Sequence, residues 1–424
     1  MVADVALEAI RLFVVLLAGA VAVALLARRV SVPYSVGLVL LGIALTRATG
    51  GLDIAITPGL VLAVLLPGLI FEASLRTEFD ELRPSFLGVL LLAVPGVVIG
   101  AWLVGFLLNA ATGLSFGAAF LVGAMVAATD PAAVIATFAR LNAPKRLATF
   151  VEAESLLNDG TGVVLFTIGL TALSGGATLE QGLVTFIAVV VGSVALGVVA
   201  GVVGTRLMAM TEDHLIELSI SVVLAYGSYL AADAVHLSGI IATVLAGATL
   251  GSYGRRHGLS RAALQTIDTV WEFIAFLLTA LIFLLLGAAI SLDAVSRSIG
   301  PIAWAIIAVL LARALVVYVL VGGTSLLVSG LTRRSPIAQT LRPVPSAWLH
   351  ILFWAGLRGA VAVALALSLP ADTPDRELLQ GITFGVVLFT LLVQGSTAGA
   401  LIQRLGIRRI SEPTGSAEEP ASLA

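Results

Sequence analysis

Apolar runs recur along the whole chain, separated by short polar clusters. Thirteen are long enough to cross a bilayer, each roughly 17–30 residues. They cover about 8–27, 34–49, 57–75, 85–109, 116–138, 147–173, 181–208, 214–234, 238–253, 268–290, 299–330, 345–370 and 377–403. The span 238–253 is short, and the split before it falls at Asp233–His236. This pattern predicts an all-α polytopic membrane protein, with residues 1–410 forming a single transmembrane unit. The polar stretch 411–424 is expected to be a disordered tail.

Composition agrees with that reading. Of 424 residues, 59% are hydrophobic and 11% charged, against roughly a quarter charged in a soluble domain. Mean hydropathy is +1.11. There are no cysteines, which excludes disulfides and thiolate metal sites. The N-terminus, MVADVALEAI, is acidic and lacks a cleavable-signal pattern. No soluble regulatory or nucleotide-binding domain is expected.

The basic residues sort by side. Loops after odd-numbered segments, with the C-terminal tail, hold seventeen of the 23 Lys and Arg; the other side holds Arg11, Arg47, Arg297 and Arg376. The bias puts the odd loops and the C-terminus in the cytoplasm and the N-terminus outside, in a cell (inner) membrane. A net charge of −2, sorted in this way, gives no reason to expect a nucleic-acid partner.

Two arginines remain, Arg313 and Arg358, both mid-segment. The interior acids are Glu72, Asp130, Glu154 and Asp159, whereas Glu217 and Glu272 lie nearer segment starts, where anchoring suits them. At about 1.5 Å rise per residue, Asp130, Asp159, Arg313 and Arg358 converge near mid-membrane. Glu72 lies closer to the cytoplasmic end. Charges inside a membrane are costly and mark functional sites.

Thirteen spans also factor as six, one and six: two inverted six-helix repeats around a linker helix. The segments 116–138 and 345–370 then correspond. Both are interrupted, one at Pro131 in AATDPAAV and the other at Gly356 and Gly359 in AGLRGAVAVAL. Paired broken helices point to a transporter's binding site.

At Thr129-Asp130-Pro131, proline removes an N–H and clashes with the Ala127 carbonyl. The freed carbonyls are suited to bind a hard cation. Asp130 can cap the second half-helix. In VEAESLLNDGTG, Ser155 and Asp159 share one helix face, and Glu154 and Asn158 the adjacent one. Asp159 is the best proton and cation site. Partial desolvation disfavours a charged carboxylate, and the ionised form is a hard oxygen ligand, so one group can hold either a proton or a cation. Ser155 can add a hydroxyl oxygen. Glu154 is the acid expected to be ion-paired, with Arg313 the preferred partner. Arg358 is placed facing the break in its own segment, repelling cations from that side. Asn158 can hydrogen-bond the broken helices or Glu154. Glu72, in LIFEASL, is a further ligand or a cytoplasmic gate.

Two patterns carry no chemistry. His236 and Ser238 sit in a turn without a third catalytic member. The spacing Gly197 to Gly201 signals close helix packing.

From about Val32 to Gly406 the chain resembles the NhaP-like sodium/proton antiporters, the electroneutral branch of the monovalent cation:proton antiporters. The carriers are FEASL, ATDPAAV, ESLLNDGTGVVLF, LSGIIATVLAGATLG, FLLLGAAI and GLRGAVAVALALSLP. The resemblance implies a homodimer in which the two broken helices cross. It implies a core domain, drawn in part from 85–173 and 299–403, and a dimerisation domain from the remaining helices. It implies that Asp159 binds the cation with Ser155, Glu72 and the Thr129 carbonyl, and that Glu154 pairs with Arg313. Electrogenic relatives carry a second Asp where this chain has Asn158. The expected function is one-for-one exchange of Na⁺ or Li⁺ for H⁺, without enzymatic activity or cofactor. The alternatives are a K⁺/H⁺ antiporter on the same scaffold and a cation channel. An intramembrane protease is the remote one.

Overall fold

The protein is described from a computed structural model, which covers residues 2–27, 29, 33–49, 59–77, 82–173, 179–257, 259–331 and 343–407. Arg28, Arg333, Arg334, Arg342, Arg408 and Arg409 of the charge bias, and the tail expected at 411–424, lie outside the described residues. So do the side chains of Arg11 and Arg261.

The described residues are helices and short connections. They run α1 (Val2–Ala27), α2 (Tyr34–Thr49) and α3 (Leu66–Arg76), the last entered through a π turn at Leu60–Leu65. Next come α4 (Arg83–Thr112), α5 (Phe116–Met125), α6 (Ala132–Leu141) and α7 (Lys145–Leu173). Then follow α8 (Leu179–Met208), α9 (His214–Ala234), α10 (Gly239–Thr249) and α11 (Arg261–Ala289). The last four are α12 (Ile299–Leu326), α13 (Ser346–Trp354), α14 (Ala360–Leu367) and α15 (Arg376–Arg404).

Among the described residues, seven helices are long and apolar enough to cross a membrane in one run. They include α4, α7, α9, α12 and α15, together with most of α8 and α11. The protein is a multi-pass membrane protein. Large apolar side chains stay exposed along its outer helices, such as Leu183, Ile187, Val191 and Val199 on α8, which suits a lipid solvent.

The helix ends obey local chemistry. Ser115, Asp213, Ser238 and Ser260 cap the helices that follow them, each side chain accepting a backbone N–H of the first turn. α4 bends at Val94, where Pro95 has no N–H to offer. α9 ends before His236, which takes a left-handed backbone with φ 57°.

Packing divides the helices into two groups. In one, α2 lies along α11, and α10 packs on α3, α8 and α9. In the other, α4 and α5 pack together and on α7, while α12 joins α4 to α15. Small residues allow close approach within the first group: a Cβ on Gly197 would stand 2.4 Å from the Ala242 carbonyl oxygen. The two groups meet along a seam where α7 faces α3, α8 and α10, and α14 faces α11.

The two interrupted segments are split into half-helices. α5 and α6 are separated by residues 126–131, and α13 and α14 by residues 355–359. The first break is wider than a proline kink requires: α5 already ends at Met125.

Candidate functional site

The two breaks are joined to each other. The Asp130 N–H donates to the Leu357 carbonyl at 2.8 Å. The Asp130 carboxylate turns to the start of α6, where Oδ1 accepts the Ala132 N–H at 3.0 Å. A Cβ on Gly359, at the start of α14, would stand 2.3 Å from Asp130 Oδ2. One carboxylate therefore sits at the N-terminal ends of two half-helices, where the helix dipole is positive.

The arginines answer the opposite ends. Arg358, 6% exposed, donates from Nη1 to the carbonyls of Ala127 and Ala128 at 2.8 and 3.3 Å. Its guanidinium thus leaves its own break and reaches the carbonyls just beyond α5, instead of facing the break it belongs to. Its backbone N–H is held by the Thr390 hydroxyl at 3.0 Å, inside a π turn of α15. Arg313 donates from Nε and Nη2 to the Leu352 carbonyl near the end of α13, at 3.1 and 2.8 Å. Each first half-helix thereby ends on a buried positive charge, which balances its negative dipole end. The carbonyls that proline frees at Ala127 are engaged by Arg358.

Arg313 also grips Glu154 with two nitrogens, at 2.8 and 3.2 Å. This bidentate pair is buried, and Arg313 Nε and Nη2 make further bonds to the Leu352 carbonyl. Glu154 Oε1 accepts a further bond from Asn158 Nδ2 at 2.8 Å. Asn158 then fastens Thr129 twice: its Oδ1 accepts the Thr129 N–H at 3.0 Å and its Nδ2 donates to the Thr129 hydroxyl at 2.7 Å. The Ser155 hydroxyl donates to the Thr129 carbonyl. The face of α7 carrying residues 154, 155 and 158 is thus bound to the first break through Thr129.

Asp159 is held differently. Among the described residues its carboxylate takes part in no hydrogen bond or ion pair. It faces a cavity of about 350 Å³. Ser155, Thr129 and Asp130 line the same cavity, together with Pro131, Gly359 and Ala360 from the two breaks. The opposite wall comes from α3 and α11, through Ile70, Glu72, Arg76, Thr279 and Phe283. The cavity therefore lies on the seam between the two helix groups. Its donors are hard oxygens: carboxylates, a hydroxyl and a carbonyl, the set that suits an alkali cation.

Glu72 lines the cavity but is not unpartnered. Arg76, one turn later on α3, approaches its Oε1 at 2.5 Å. By sequence Arg76 is a loop residue; in the structure it closes α3 and borders the site. Glu152 is the acid that sequence reasoning missed, and it lines the cavity as well. Residues 152, 155 and 159 recur at three- and four-residue steps, which places them on one helix face; that spacing was the available signal.

The residues of the protease alternatives have other partners. Ser238 caps α10 through Ile241 N–H, and its own N–H goes to Ser193. Asp130 Oδ1 accepts the Ala132 N–H at the start of α6.

Residues 12–404 match the sodium/hydrogen exchanger transmembrane family. The chain belongs to that family. Members similar to it include the Na(+)/H(+) antiporter ApNhaP of Aphanothece halophytica, 37% identical over 89% of this chain and 70% of the relative. The Na(+)/H(+) antiporter NhaH of Halobacillus dabanensis is 33% identical over 92% of this chain and 96% of its own length. The family fold also appears in the solved structure of the sodium proton antiporter MjNhaP1 from Methanocaldococcus jannaschii at pH 8. That structure covers 94% of this chain and 99% of its own, with a TM-score of 0.74 at 22% identity. In this exchanger-family chain, the half-helices, the Glu154–Arg313 pair and the cavity at Asp159 form one connected arrangement.

Proposed function

We propose that the protein exchanges Na⁺ (or Li⁺) for H⁺, one for one, by alternating access. Asp159 is the shared group. Deprotonated, it binds the cation with Ser155, the Thr129 carbonyl and Glu72; protonated, it carries H⁺ back. The relatives named as Na(+)/H(+) antiporters support the choice of ions. The observation that carries the reading is the contrast on one turn of α7. Glu154 is fixed by Arg313, while Asp159 faces the cavity without a partner among the described residues.

The cavity's position supports the mode of transport. Ligands on α7 and at the first break belong to one helix group, and Glu72 to the other. Sliding of the groups along their seam would open the site first to one side and then to the other. In this reading α4–α7 and α12–α15 form the moving core, and the remaining helices form the dimerisation domain of a homodimer. The N-terminus lies outside and the C-terminus in the cytoplasm of a cell (inner) membrane, as the basic residues favour. The chain acts without a cofactor and is not an enzyme.

The test is dissipation of a preset pH gradient in proteoliposomes on addition of Na⁺, Li⁺ or K⁺. Na⁺ and Li⁺ collapse the gradient with wild-type protein, and Asp159→Asn abolishes the response. Cation-driven proton flux retained in Asp159→Asn sinks the assignment. A response to K⁺ in place of Na⁺ moves it to K⁺/H⁺ antiport.

A further inference from the structure

Arg76 borders the cavity that Asp159 faces. Its Nε is 2.5 Å from Glu72 Oε1, its Nη2 is 3.3 Å from Glu272 Oε2, and it reaches the Asp268 carbonyl at 3.4 Å. It lines the same cavity as Asp159, Ser155 and Thr129. Its side chain is 43% exposed, that of Glu72 14%. Across the cavity, Glu152 projects from α7. Among the described residues it makes no hydrogen bond or ion pair, although the charges of Glu72 and Arg76 both act on it.

We infer that Arg76 is a tethered competitor of the transported cation, holding Glu72, and that Glu152 is the alternative partner that draws it away. A guanidinium and an alkali cation seek the same carboxylate oxygens, and the guanidinium never loses its charge. A cation that ligates Glu72 therefore competes with Arg76 for the carboxylate's charge and, at Oε1, for the same oxygen. The pair is partly exposed, so displacement is within reach of a weakly bound ion.

Topology ties the exchange of partners to the movement of the groups. Glu72 and Arg76 are four residues apart on α3, so rigid movement of the helix leaves their spacing unchanged. Glu152 belongs to the other helix group. Its distance to Arg76 changes whenever the groups slide, so the partner Arg76 takes is tied to the transport movement. Glu152 lies seven residues from Asp159, about 10 Å along the helix axis, outside the immediate ligand set.

This inference rests on the proposed exchange at Asp159, and the Asp159→Asn variant separates failure of that function from failure of the inference. The apparent KM for Na⁺ is measured with full-length protein in proteoliposomes. The variants are Arg76→Gln, Glu152→Gln and their combination, with Asp159→Asn alongside. Arg76→Gln is expected to lower KM by about threefold or more, the scale of a partly exposed ion pair, with exchange persisting at saturating Na⁺. Glu152→Gln is expected to raise KM, because Arg76 then stays on Glu72. The double variant should match Arg76→Gln, since Glu152 has no competitor left to withdraw.

A wild-type KM in Arg76→Gln overturns the inference. So do additive effects that return the double variant to the wild-type KM, because a plain electrostatic field adds whereas partner exchange does not. Should Arg76→Gln fail to reconstitute, Arg76→Met takes its place in both the single and the double variant, and the same outcomes decide. An active Asp159→Asn would refute the proposed function itself, whatever the Arg76 result.

Discussion

The Asp130 N–H and the Leu357 carbonyl are 2.8 Å apart, and this bond ties one helix break to the other. Around it the charges cross over. Asp130 sits at the starts of α6 and α14, and Arg358 reaches the carbonyls that follow α5. Each buried charge meets a dipole end of opposite sign, so irregular backbone is satisfied inside the protein, as a membrane interior requires.

Gly359→Ala should disrupt this crossing. The new methyl would lie 2.3 Å from Asp130 Oδ2 and 2.5 Å from Asp130 Cβ. The Cβ cannot swing aside as a flexible chain end could. Overpacking of this kind costs about 1–3 kcal/mol. A lower melting temperature in detergent and loss of exchange are expected. Gly300→Ala, where an added Cβ meets nothing within 4 Å, should melt no lower than wild type. Equal melting of the two variants would contradict the crowding argument.

The ion pair of Glu154 and Arg313 invites a double-mutant cycle. Removing one partner leaves a buried charge unanswered, at a cost of about 3–5 kcal/mol. Glu154→Gln and Arg313→Gln should each lower yield and melting temperature strongly. The double variant should lose less than the two single losses combined, because no lone charge remains. The Leu352 carbonyl would still lack the two bonds it accepts from Arg313, so recovery should be partial. A well-folded single variant with wild-type exchange would count against the pair as scaffold.

Much of this arrangement was legible in the chain, and the rest was hidden for physical reasons. Apolar runs mark helices because lipid and protein interior both exclude charge. Pro131, Gly356 and Gly359 mark the breaks because each acts locally. The extent of the first break was not legible: α5 ends at Met125, and the carbonyls beyond it are answered by Arg358 from a distant segment. The same limit misplaced Arg358, whose own neighbours give no hint that its guanidinium crosses to the other break. Arg76 read as a loop residue because it ends a helix, where basic residues ordinarily meet solvent. Glu152 was overlooked beside Glu154, although its spacing from Ser155 and Asp159 put it on the cavity face.

Asn158→Asp is expected to fail as a route to a second transported charge. The amide donates to both Thr129 and Glu154, and no carboxylate can donate those bonds when ionised. An aspartate there would place like charge against Glu154, now 2.8 Å from the amide nitrogen. The variant should be destabilised and slow, with no new electrical signal. A stable variant that generates current would show that Thr129 needs no donor from position 158.

Electrical silence and pH dependence follow from a single exchangeable carboxylate. Asp159 lines the cavity without a partner among the described residues, while Glu154 is neutralised by Arg313. If one site holds either Na⁺ or H⁺, each half-cycle moves the same net charge and a full cycle moves none. A sodium jump on proton-tight proteoliposomes should give no sustained current. Competition sets the pH profile. At low pH, protons keep Asp159 neutral and exclude Na⁺; at high pH, too few protons remain to displace it. Raising Na⁺ should move the acid limb of the profile to lower pH, by about one pH unit per tenfold change in concentration where binding is purely competitive. An acid limb that ignores Na⁺ concentration would place the proton on a group other than Asp159.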